Sequence, residues 1–171
     1  MPDGGSPLQT RFGFVMTTVT THDPVASVRL PISIDALSPE LDRKLRAVGR
    51  SRTLLKNETL YLRGTMPDAM YCIESGAVQL STTSAKGKES VLGVVDRGRW
   101  FGEMTLLTKD PRPHDAKALT DTELWVVPAQ CLHAIVDHEP AYLLEFLCLV
   151  CRRYKWALGA VENQAQRLGG L

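Results

Sequence analysis

The chain is poor in the features that mark an extreme class. Aromatic residues make up only 6% of its 171 positions, cysteines number four, and 20 Lys+Arg nearly cancel 19 Asp+Glu to leave a net charge of +1. The charge balance gives no overall attraction to nucleic acid, so any DNA contact needs a local basic patch. Cys72, Cys131, Cys148 and Cys151 do not make a disulfide framework in a chain of this size. The longest apolar run, 141–151, is broken by Glu145 and falls short of the roughly 20 residues a bilayer span takes. The first residues lack a basic start followed by an apolar run, so no signal peptide is read and a cytoplasmic protein is expected. None of the four histidines sits in a His-x-His arrangement, which argues against a cupin-type metalloenzyme. No Ser-His-Asp or Cys-His motif is evident either, so an enzyme is not expected. What remains, 44% hydrophobic and 23% charged residues, suits one compact globular domain with some extra chain.

Residues 1–36 read as a poorly structured extension, with Gly4, Gly5 and Pro7 followed by a Thr-rich stretch; 11–19 can pair as an edge strand. Order is expected to begin at Ser38-Pro39-Glu40, a capping residue, a first-turn proline and an acid at the positive helix end. Leu41, Leu45 and Val48 then recur at helical spacing until Gly49. From Thr53 to Pro128 the pattern changes to short alternating runs separated by turn residues, including Lys56-Asn57, Ser75-Gly76 and Ala85-Lys86-Gly87-Lys88. Seven or eight short strands without crossover helices predict an antiparallel double-sheet or closed roll.

Helical periodicity returns at 129–138, with Leu132, Ile135 and Val136 on one side, and Pro140 opens a long helix. Leu147, Cys151, Tyr154, Leu158, Val161, Ala165 and Leu168 step alternately by four and three, the a/d seam of a parallel dimer. Arg152, Arg153, Lys155, Glu162 and Arg167 fall off that seam. Cys148 and Cys151 form a CxxC on nearly one helix face, expected as two small buried residues, with a redox or metal-binding thiol pair as the alternative. His133, Asp137 and His138 have helical spacing that can meet a metal but are expected at the surface.

The chemistry concentrates between Gly98 and Ala116. Gly102-Glu103 opens a short helix, about 103–107, whose free N–H groups favour an anion. Arg112, on the returning loop, can bring a guanidinium to the same spot. A carboxylate beside an anion is tolerable where it accepts hydroxyl hydrogens. Glu103 for hydroxyls and Arg112 for phosphate therefore describe a ribose phosphate. Without a ligand, the two are expected to pair with each other. His114, beside Asp115, is expected to face solvent.

At these residues the chain resembles the cyclic nucleotide-binding domain of the Crp/Fnr regulators and of protein kinase A regulatory subunits, over 37–166. The resemblance rests on Gly64-x-x-x-Asp68-x-Met70-Tyr71-x-Ile73-x-x-Gly76-x-Val78, Gly98-x-x-Phe101-Gly102-Glu103, Pro111-Arg112, and Ala118-Leu-Thr-Asp-x-Glu-Leu-Trp-Val. It implies a mainly β jelly roll with flanking helices, Glu103 on a ribose 2′-hydroxyl, Arg112 on a cyclic phosphate, and N–H groups near Gly102, Glu103 and Met104 lining the cassette. The pattern departs in four places. Pro113 has no N–H to give a phosphate, and Asp115 puts a negative charge close by. Ala157 and Leu158 stand where the bacterial cAMP receptor presents hydroxyls to adenine, leaving Trp156 to stack on a base.

The sequence thus divides into an extension (1–36), a cyclic nucleotide-binding-like roll with short flanking helices (37–139) and a dimerisation and relay helix (140–171). The expected function is that of a regulatory domain that senses cAMP, another cyclic nucleotide or a related effector, with Gly102, Glu103, Met104, Arg112, His114 and Trp156 at the ligand and no metal. The partners expected are the effector and a second copy bound through 140–168, without membrane contact. Crp/Fnr regulators continue into a winged helix-turn-helix; none is read here, and a chain cut before that domain is expected. The alternative is a degenerate, ligand-free roll kept as a dimerisation module.

Overall fold

A computed structural model describes residues 36–169, with side chains described as far as Gly159 and at Glu162; the 11–19 edge strand lies outside this range. The elements run α1 (Pro39–Val48), β1 (Arg50–Leu54), β2 (Thr59–Tyr61), β3 (Ala69–Ser75), β4 (Ala77–Thr83), β5 (Glu89–Asp96), β6 (Trp100–Phe101), α2 (Glu103–Thr108), β7 (Asp115–Ala118), β8 (Thr122–Pro128), α3 (Ala129–His138) and α4 (Ala141–Gly169). The strands form two four-stranded sheets, ordered β1-β8-β3-β6 and β2-β7-β4-β5, and every pairing is antiparallel. This is the double-sheet roll that the strand spacing predicted.

Strand β3 explains how the layers stack. Tyr71 and Ile73 point between the sheets with Leu54, Val78, Leu124 and Val126. Met70 and Cys72 point the other way, into a second core with Leu41, Leu45, Trp100, Leu132, Val136, Phe146 and Leu149. Successive side chains on a strand face opposite sides, so a central strand covered by a sheet below and helices above is buried along its whole middle. Helices α1, α3 and the first turns of α4 form that cover.

The caps are tertiary as well as local. The Ser38 hydroxyl accepts from Leu41 N–H at 3.2 Å, as expected of a cap. It also donates to Glu145 of α4 at 2.8 Å, and its N–H meets the other oxygen of that carboxylate at 2.8 Å. Gly49 ends α1 in extended backbone, so its conformation does not demand glycine. Space does: an added Cβ would lie 2.3 Å from Trp125 Nε1, the atom that donates to the Arg46 carbonyl. Val48 is 41% exposed, so Leu41 and Leu45 are the residues that α1 buries.

Among the described residues, no helix is long and apolar enough to cross a membrane. Tyr142, Phe146 and Leu149 of α4 are buried, whereas Leu144, Leu147, Tyr154 and Leu158 are exposed. Cys148 and Cys151 are exposed as well, contrary to the expectation that they pack inside. They lie on the side of α4 turned away from the roll.

Candidate functional site

The site is built at the point where the chain leaves one sheet and enters the other. Strand β6 pairs with β3 through Tyr71–Phe101 and Cys72–Trp100, and Gly102 then turns at φ +89° into α2. A side chain there would be strained, and its Cβ would lie 2.9 Å from Arg112 Nη1. The returning loop is pinned by two backbone bonds, Arg112 N–H to the Thr65 carbonyl and Gly64 N–H to the Arg112 carbonyl, both 2.8 Å.

Arg112 is 2% exposed. Nη1 donates to the Gly102 carbonyl at 3.0 Å and the Thr105 hydroxyl at 3.1 Å, and Nη2 donates to the Ala69 carbonyl. Its guanidinium lies over the Tyr61 ring, 4.3 Å from the centroid, with Tyr71 at 5.6 Å. Burial raises both phenols, Tyr71 to about 12, while the Arg112 charge pulls the other way. Both rings are therefore neutral at physiological pH.

Glu103, 1% exposed, does not pair with Arg112 as expected. Its Oε1 accepts from Arg153 Nη1 of α4 at 2.7 Å, and Arg153 also donates to the Trp100 carbonyl. Arg112 is instead occupied by carbonyls, because the loop returns it beneath the Gly102 turn, among Ala69, Gly102 and Thr105. Three buried polar atoms here have no hydrogen-bond partner: Glu103 Oε2, Arg112 Nε and His114 Nδ1.

These residues line one cavity of about 380 Å³, in the range that takes small organic ligands. Gly102, Glu103, Met104, Arg112, Pro113 and His114 form one wall, Tyr61, Leu80 and Phe101 the floor, and Val150, Arg153, Tyr154 and Ala157 of α4 the opposite side. Five of the six site residues expected from the sequence thus come together. Trp156 is not on the wall; Tyr154 and Ala157 of the same helix are. Leu158 is also off the wall and 45% exposed. His114 is half-buried against Tyr61, ring centroids 5.9 Å apart, rather than facing solvent. Asp115 lies off the wall, its carboxylate accepting from Arg63 N–H at 2.7 Å, and its charge still reaches His114 on the wall.

The sequence reading missed Arg153, Tyr154, Val150 and Tyr61. Val150 and Arg153 were legible in principle. Val150, Arg153 and Ala157 recur at i, i+3 and i+7, a second stripe beside the a/d seam.

An antiparallel double-sheet roll whose acid and arginine face a long helix across a cavity is a jelly roll with a candidate ligand pocket. The family model described as the cyclic nucleotide-binding domain matches residues 51–139, and the chain belongs to that family. It is 30% identical over 122 residues to the anaerobic regulatory protein of Bacillus subtilis, covering 71% of this chain and 51% of that one. It is 29% identical over 121 residues to the cyclic AMP receptor protein of Thermus thermophilus, covering 71% and 56%. The crystal structure of the Thermus thermophilus catabolite activator protein superposes with a TM-score of 0.65 at 27% identity, over 76% of this chain and 61% of that chain. The N-terminal domain of a Streptomyces coelicolor transcriptional regulator gives a TM-score of 0.59 at 31% identity, over 74% and 88%. The resemblance to Crp/Fnr regulators therefore holds. The chain spans about half the length of the curated relatives it matches.

Proposed function

We propose that this chain is the ligand-sensing domain of a cytoplasmic transcriptional regulator of the Crp/Fnr type, that a cyclic nucleotide fills the cavity, and that α4 both dimerises the protein and carries the signal. The observation that carries this reading is the Glu103–Arg153 contact across the cavity. A buried carboxylate on the cassette is held by a guanidinium on the helix, with its second oxygen left without a partner. A ribose hydroxyl donating to Glu103 and a phosphate beside Arg112 would change what Arg153 binds. Ligand then biases the position of α4 through a contact that differs between empty and filled states, as a population shift requires. The exposed seam of Leu144, Leu147, Cys151, Tyr154 and Leu158 supplies the dimer face.

Calorimetric titration with cAMP and with cGMP tests the reading. Micromolar binding that disappears in Glu103→Ala, with the variant still folded, is expected. Silence with both nucleotides from a folded dimer would refute it. One observation favours the second reading, a ligand-free dimerisation module: Arg112 already gives three hydrogen bonds to protein oxygens, and Pro113 has no N–H to add.

A further inference from the structure

A phosphate in this cavity meets a cassette with a missing donor. The residue after the arginine is Pro113, and it lines the cavity without an N–H to offer. Arg112 gives both terminal nitrogens to protein oxygens and keeps only Nε without a partner. Yet the imidazole of His114 lines the same cavity, and the ring it packs on, Tyr61, is the ring that carries the Arg112 guanidinium. Two groups able to bear positive charge thus share one aromatic floor beside a vacant volume.

We infer that His114 holds the ligand's anionic group together with Arg112, donating the hydrogen bond that Pro113 cannot. This rests on the cyclic nucleotide reading and names the residue that adapts the cassette to it.

The surroundings set the protonation of the ring. Arg112 lies next to it in the loop, and Asp115 follows but is bonded to Arg63 N–H. Tyr61 of β2 and Tyr71 of β3 lie beneath, Glu103 of α2 is held by Arg153 of α4, and Tyr154 of α4 completes the wall. Among the described residues, Asp68 lies 4.0 Å from Arg112 Nη2 and is largely exposed, and Glu103 keeps one oxygen without a partner. Burial holds it below its ordinary value of 6.5, Arg112 pushes in the same direction, and Asp115 opposes them. With no anion beside it, His114 is therefore neutral at pH 7. An anion seated between His114 and Arg112 reverses the balance, because an opposite charge within about 4–6 Å favours the protonated ring. Binding is then linked to uptake of a proton, and affinity falls as pH rises through the bound-state value, by up to about tenfold per pH unit.

The test is calorimetry of the full chain with cAMP at pH 6.0, 7.0 and 8.0, in two buffers of different ionisation enthalpy at each pH. Wild type is expected to take up protons on binding near pH 7 and to weaken toward pH 8. His114→Ala and His114→Gln are expected to bind about ten times more weakly at pH 6.0, with no proton uptake and a flat pH profile. Thermal melts establish that each variant is folded. If wild type binds and both variants keep its affinity and its proton uptake, the inference is overturned while the nucleotide reading stands. If folded wild type fails to bind cAMP and cGMP at every pH, the nucleotide reading fails and the inference with it.

Discussion

Arg112 is bound to oxygens contributed by β3, by the turn before α2 and by α2 itself, so at the scale of single residues it is a cross-link before it is a ligand contact. Removing it takes a charged donor from the Ala69 and Gly102 carbonyls and the Thr105 hydroxyl, and a hydrogen bond to a charged group contributes about 1.5–3 kcal/mol. Arg112→Ala is therefore expected to lower the melting temperature, at about 2–4 °C per kcal/mol for a domain of this size, as calorimetric scanning will show. Arg112 is accordingly a poor binding control, and Glu103 a better one. The cysteines divide along similar lines. Cys72 is buried with its thiol pushed up to about 12, and Cys148 and Cys151 are exposed. A thiol reagent at pH 8 is expected to modify Cys148 and Cys151 in the native protein and Cys72 only after denaturant. The sign for stability follows from linkage. The native state keeps the Cys72 and Tyr71 protons where the unfolded chain has lost them, so stability is intact below about pH 9 and declines as pH rises toward 12.

Helix α4 is the element on which the functional reading depends, and its two faces carry different loads. Phe146 and Leu149 are fully buried in the roll, whereas Leu147 is 57% and Leu158 45% exposed. Leu147→Glu and Leu158→Glu are therefore expected to leave the fold and its melting behaviour nearly unchanged while halving the mass seen by light scattering. In a parallel dimer Cys151 meets its own copy across the axis, so mild copper-catalysed oxidation should cross-link wild type but not Cys151→Ser. The same helix shows what the sequence could and could not disclose. The long helix was legible from its helical period, and the strands were legible from their turns. The cassette was legible because Gly102, Glu103 and Arg112 carry chemistry unusual for a loop. The partner of Glu103 was hidden, since Arg153 is 50 residues distant and reads in isolation as one more solvated charge. The exposure of Cys148 and Cys151 was hidden for the opposite reason: an apolar run does not state which of its faces the roll covers.

For the whole molecule, the cavity lies where two sheets and a helix meet, so ligand that binds only the folded chain stabilises all of it. At about one hundred times its dissociation constant a nucleotide adds about 2.7 kcal/mol, a rise of roughly 5–10 °C in melting temperature. Thermal-shift measurements against cAMP and cGMP should show it, and a flat response to both would favour the ligand-free module. The Arg112 network has a consequence for the kind of heat that binding releases. Its bonds to Ala69, Gly102 and Thr105 tie the cassette to three parts of the fold, so a nucleotide is expected to find no loop that must fold around it. Association should then lack the large negative heat-capacity change and the slow phase that accompany folding on binding, and show only the modest change of covering Tyr61, Leu80, Phe101 and Val150. On the proposed reading, any slow step in a rapid-mixing experiment is expected to come from α4 and a partner helix. On the proposed reading the roll would act as a rigid receptor and the dimer helix as its clock.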